Sequence, residues 1–117
     1  MFDVQPGELN SIQARTLELL LHAGFKFVTF ERYARYPAVE REQFVALLDV
    51  SGGSVKLFGQ VGYRVGDGIG MLVEKEQGKA FVWKGQSVTA TSELLAAYER
   101  IKLDLRGLLH GLTGEAP

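Results

Sequence analysis

The sequence predicts an α+β fold, a two-layer sandwich in which an antiparallel meander sheet of 4–5 strands carries an N-terminal and a C-terminal helix on one face. Three observations point to it. Apolar residues recur at helical spacing near both ends of the chain, they alternate with a period of two in the middle, and glycine-bearing turns break that alternation. A helix stripe and a sheet face each need an apolar partner, and packing them together satisfies both.

Residues 8–23 read as the first helix. Leu9, Ile12, Thr16, Leu19, Leu20 and Ala23 fall on one stripe, Pro6 and Glu8 suit the first turn, and Gly24 suits the stop. Residues 25–33 are aromatic and β-branched and read as a strand. A polar connection over residues 33–42 follows.

From Phe44 the alternation takes over, turned at Ser51-Gly52-Gly53-Ser54, Gly66-Asp67-Gly68 and Glu76-Gln77-Gly78. A two-residue loop at Gly52-Gly53 sets Leu48 opposite Leu57, Asp49 opposite Lys56, Leu47 opposite Phe58 and Phe44 opposite Val61. Three-residue loops centred on Asp67 and Gln77 set Tyr63 opposite Met71, Gly62 opposite Leu72 and Met71 opposite Trp83. This register places Phe44, Leu57, Tyr63, Met71 and Trp83 on the face beneath the helices. A slip of one residue would send a whole strand's side chains to the other face. Glycines 59, 62 and 70 interrupt strands, which fits bends in a twisted sheet, room for helix packing over Gly59, or the close approach of a ligand or partner backbone.

The last helix, Ser92–His110, carries the strongest signal. Thr91 or Ser92 can cap it, Glu93 sits in its first turn, and Leu94, Tyr98, Ile101, Leu105, Leu108 and Leu112 run along one side. Its length would be about 28 Å at 1.5 Å per residue, enough to cross the sheet.

The same register leaves Leu47, Phe58, Leu72 and Val82 as an apolar row on the helix-free face. An exposed row of this kind marks a contact surface unless residues 25–42 fold over it. It suggests a homodimer, since two-fold pairing is the commonest oligomer geometry, or a docking site for another protein.

Composition sets the outer limits. The chain of 117 residues reads as a single domain, 1–117, with residues 1–7 and 111–117 as fraying ends. It has no cysteine, which removes disulfides, thiolate metal sites and cysteine nucleophiles. Thirteen basic against fourteen acidic residues give a net charge of -1, a poor footprint for nucleic acid or an anionic membrane. Without a signal-like or membrane-length apolar run, a soluble cytoplasmic protein is expected. His22 and His110 each lie near a helix C-terminus, where the macrodipole favours them, and no third ligand accompanies them. No metal and no cofactor are expected. Gly66-Asp67-Gly68-Ile69-Gly70 sits between strands and lacks the following helix that a nucleotide-binding glycine run needs.

Arg32, Arg35, Tyr36 and Arg41 form the segment with most recognition character, since guanidinium groups can clamp an anion while a ring stacks on a base. Glu31, Glu40 and Glu42 stand nearby and can neutralise those arginines. Arg32-x-x-Arg35 with Asp49-Val50-Ser51-Gly52-Gly53-Ser54 resembles the arginine arm and Asp-x-Ser-x-x-Gly motif of PilZ domains, which implies a cyclic dinucleotide ligand on a β-barrel. The arginine spacing is one residue short, Ser54 replaces the final glycine, and Asp49 follows Arg35 by only 14 positions, which leaves little room for the intervening strand. Membership is not assigned. Three readings follow: a non-catalytic binding or assembly module acting through the helix-free face, a binder of a small anionic or nucleotide-like ligand at residues 32–41, and a cofactor-free enzyme using His22 or His110.

Overall fold

The computed structural model describes residues 9–110 and contains two helices and seven strands. In chain order these are α1 (Ser11–His22), β1 (Lys26–Val28), β2 (Ala38–Arg41), β3 (Phe44–Asp49), β4 (Lys56–Val65), β5 (Gly68–Lys75), β6 (Gly78–Trp83), β7 (Gln86–Thr89) and α2 (Ser92–His110). The sheet order follows the chain order from β1 to β7, and every neighbouring pair is antiparallel. The fold is thus α+β with a meander, of seven strands rather than 4–5. No helix among the described residues is long and apolar enough to cross a membrane.

α1 begins later than residue 8. The Asn10 side chain accepts from the Gln13 N–H at 2.7 Å, and the Gln13 side chain accepts from the Asn10 N–H at 3.0 Å, a reciprocal cap. Gln13 is also buried, and its Nε2 donates to the carbonyls of Val50 and Gly52 at 2.8 and 2.6 Å, which ties α1 to the β3–β4 turn. Pro6 and Glu8 lie outside the described residues, as do both proposed fraying ends.

The segment 25–33 is not one strand. β1 has three residues, and Glu31–Tyr33 forms a 3-10 turn. The connection after it contains β2, joined to β3 by the turn Glu42-Gln43, whose φ values are 54° and 68°. Two left-handed residues in a two-residue loop match the twist of a hairpin, but the usual signature is Asn, Asp or Gly. Glutamate and glutamine hide the turn. β7 is hidden for a similar reason: it is short and polar, and follows Lys84-Gly85, also both at positive φ.

Between β3 and β4 the pairs Leu48–Leu57, Asp49–Lys56 and Leu47–Phe58 fall where the two-residue loop places them. A bulge then shifts the register, and Phe44 faces Tyr63 instead of Val61. Gly59, at φ +74°, takes the left-handed conformation on the bulged side. The next loop is Gly66-Asp67, one residue shorter than read, so Val65 pairs with Gly68. That slip turns β5 over: Ile69 and Met71 point away from the helices, and Leu72 packs against the helix-side core. The following loop, Glu76-Gln77, is also one residue shorter, and Met71 pairs with Val82 instead of Trp83. The two slips cancel. Phe81 and Trp83 therefore return to the helix side.

The larger core joins Leu20 and Phe25 to Phe44, Leu48, Phe81 and Tyr98, with Ile101, Leu105 and Leu109 contributed by α2. α2 spans the predicted residues, and Leu94 N–H donates to Thr91 Oγ1 at 3.1 Å as its cap. Leu109 is the buried residue of its last turn and Leu108 is half-buried, while Leu112 lies outside the described residues. A smaller cluster on the other side of the sheet contains Phe30, Ala38, Val45, Leu47 and Ile69, with Tyr33 and Tyr36 against it. Gly62 leaves the space that Ile69 fills, and Gly70 allows Val65 and the β6 backbone to approach.

Candidate binding groove

The structure scatters the arginines of residues 32–41. Arg41 points to the helix side, where it donates to Ala23 O at 2.8 Å, pairs with Asp104 and lies 4.6 Å from the centre of the Phe25 ring. Its side chain is only 18% exposed. Tyr36 is on the other side, stacked on Phe58 at 4.0 Å between ring centres and 14° between planes. Arg32 stands 5.4 Å from the centre of the Trp83 ring, and Arg35 is exposed. Arg41 and Tyr36 are thus committed to intramolecular contacts on opposite sides of the sheet.

The proposed contact row is divided as well. Leu47 is buried under the outer cluster, Leu72 belongs to the helix-side core, Val82 is half-buried, and Phe58 is 40% exposed beneath Tyr36. Residues 30–36 cover the middle of this face. Beneath them the Glu40 carboxylate, itself buried, holds Arg64, which lies 4.9 Å from the centre of the Phe30 ring. The bond to Glu40 raises the Arg64 guanidinium further above its already high ordinary value. His22 and His110 each occupy the last turn of a helix, and among the described residues no three His, Asp or Glu side chains come together as metal ligands would.

A different site emerges from the way β4 is paired. Its second half, Tyr63–Val65, lies between β3 and β5, but the first half, Lys56–Phe58, pairs among the described residues with β3 alone. β5 leaves β4 after Gly70 and pairs onward with β6 from Met71. α2 closes the upper end of the gap, where the buried Tyr98 hydroxyl donates to Val61 O at 3.1 Å. Burial pushes the Tyr98 hydroxyl above its ordinary pKa, so it keeps the proton it donates.

Below that bond, α2 and β4 enclose a groove of about 630 Å³. That volume lies within the range of small-ligand sites. Val55, Val61, Leu105 and Leu109 supply a buried apolar floor, and Leu57 adds a side chain 38% exposed. Lys56, Lys102, Arg106 and His110 stand around it, and among the described residues no carboxylate lines it. Lys102 also pairs with Glu99 at 3.0 Å and lies 4.4 Å from the centre of the Tyr98 ring. Cations above an apolar floor attract an anion and shelter its hydrocarbon part, because the low-dielectric wall strengthens the field at the rim. The sequence does carry a trace of this groove. Lys102, Arg106 and His110 follow Tyr98 at every fourth residue, a basic row alongside the apolar stripe of α2. The chain matches no protein-family model, no curated protein and no solved structure, and its functional assignment rests on this geometry.

Proposed function

We propose that the protein is a non-catalytic binding module that holds an anionic ligand with an apolar body in the groove between α2 and β4. One observation carries the reading: four basic side chains surround an apolar floor to which no described carboxylate contributes. The anionic ligand envisaged for residues 32–41 is better served here, since Arg41 is already paired with Asp104. The test is a titration with anilinonaphthalene sulfonate, an anionic aromatic dye, beside the uncharged dye Nile red. Lys102→Glu combined with Arg106→Glu is expected to weaken the sulfonate at least tenfold, and added salt to weaken it in wild type. Equal affinity in wild type and variant would overturn the reading.

Self-association through the outer face is the second reading. Phe58 remains 40% exposed there beneath Tyr36, and Met71 and Val73, each 38% exposed, lie outside the cover of residues 30–36. Sedimentation of wild type and Met71→Glu tests it: a dimer that the variant dissociates supports it, and a monomer at high concentration removes it.

A further inference from the structure

Resting on that reading of the groove, we infer that its occupant is an acidic, extended peptide segment that adds as a strand to the open edge of β4. Three features select an extended backbone over a compact ligand. First, among the described residues Lys56–Phe58 is paired on one side only, so its other edge offers main-chain groups to a new strand. Second, consecutive residues of β4 line the groove, Lys56 beside Leu57 and Gln60 beside Val61. Neighbours in a strand point to opposite faces, so a groove that meets both runs along the strand's edge. Third, Gly59 lies in that stretch with no atom within 4 Å of where a Cβ would stand, which leaves room for an approaching backbone.

Charge decides what kind of strand it is. A second copy of β4 would bring Lys56 toward the other copy's Lys102 and Arg106, so like charges oppose edge-to-edge pairing of this chain with itself. Glutamates or aspartates on alternate positions would turn toward Lys102 and Arg106 of α2, and the apolar residues between them would lie on the opposite face, beside the half-exposed Phe58. The Tyr98 bond to Val61 O ends the available edge, leaving residues 56–60, about 17 Å of strand.

The probe is a capped eight-residue peptide alternating valine and glutamate, with valine–lysine and fully N-methylated valine–glutamate peptides as controls. Binding is read by fluorescence anisotropy, and amide hydrogen exchange is read at residues 56–60. The proposal expects the acidic peptide to bind and to slow exchange at these amides. It also expects at least a tenfold loss on N-methylation, with the lysine peptide, or in the Lys102→Glu, Arg106→Glu variant. If the peptide binds without slowing exchange, or N-methylation changes nothing, strand addition is overturned and the anionic groove stands. If the sulfonate dye binds and the peptide does not, the peptide occupant is overturned alone. If neither binds, both readings fall together.

Discussion

Arg41 and Arg106 both flank α2, one from β2 and one from the helix itself, and they differ in what surrounds them. Arg41 has Asp104 and Glu42 beside it, a carbonyl at 2.8 Å and the Phe25 ring beneath. Arg100 extends that network by pairing with Glu42 at 2.9 Å. Arg106 shares its groove with Lys56, Lys102 and His110 and no described carboxylate. A cation neutralised on site holds the fold together but has little field left for a ligand. Basic side chains gathered around an apolar floor with their acidic partners, Glu99 and Asp49, outside the lining keep more of their field for a ligand and contribute little to folding. The difference teaches that function is sought where the charges of this nearly neutral chain fail to cancel.

The comparison predicts unequal effects on stability. Arg41→Ala removes a mostly buried guanidinium that bridges α1, β2 and α2, and it leaves Asp104 and Ala23 O without their partner. It should lower the unfolding free energy by about 2–3 kcal/mol. Arg106→Ala should change it by less than about 0.5 kcal/mol. Urea midpoints measure both, and similar losses would erase the distinction.

Tyr98→Phe should cost about 1 kcal/mol, because Val61 O loses its donor at the edge of the groove. The same residue makes stability sensitive to alkali. Burial raises its folded pKa above the unfolded value near 10, so the folded state binds the proton more tightly. Its contribution is whole below about pH 10 and is lost as pH rises through the raised folded value. The phenylalanine variant should lack that part of the alkaline loss in thermal melts across pH 9–12.

A smaller effect, of opposite sign, is expected at the β2–β3 turn. Gln43 sits at φ 68°, where a Cβ costs roughly 1–2 kcal/mol, and glycine relieves that cost while adding freedom to the unfolded chain. Gln43→Gly should raise stability by about 1 kcal/mol or less. A loss of stability would mean that the Gln43 side chain itself supports the turn.

That turn also shows where the sequence was legible. Ser92–His110 could be read to its ends because its cap and its apolar spacing agree. The β3–β4 hairpin could be read near its glycine turn, through Leu48–Leu57 and Asp49–Lys56, until Gly59 shifted the register. Loop length was the weak link. Gly66-Asp67-Gly68 is compatible with loops of two or three residues, and composition alone does not choose between them. Packing chooses: with the shorter loop Ile69 fills the space over Gly62 and Phe81 joins Phe44 and Tyr98. β2 was illegible because its turn uses Glu42 and Gln43, held by tertiary contacts such as Arg64 N–H to Gln43 O at 2.8 Å. The groove was half-legible. Its basic row on α2 is local in sequence, but the open edge of β4 exists only because β5 turns away to β6, a long-range event.

Asp49 supplies the finest test, because it is the carboxylate set opposite Lys56 on the strand that borders the groove. Ser51 donates to it through its hydroxyl at 2.6 Å and its backbone N–H at 2.9 Å, and these bonds, with Lys56, hold its pKa below the ordinary 3.8. The folded state therefore binds this proton less tightly. The small stabilisation is present above pH 3.8 and disappears as pH falls through the lowered folded value. Asp49→Asn should flatten that part of the acid limb. If carboxylates are what silence cations in this protein, the same variant should also release Lys56 toward the groove and tighten the sulfonate dye by about twofold in low salt. Asp104→Asn, which frees Arg41 at the neutralised corner, should leave dye affinity at the α2–β4 groove unchanged. Tightening by both variants alike would show that the dye responds to net charge rather than to the groove.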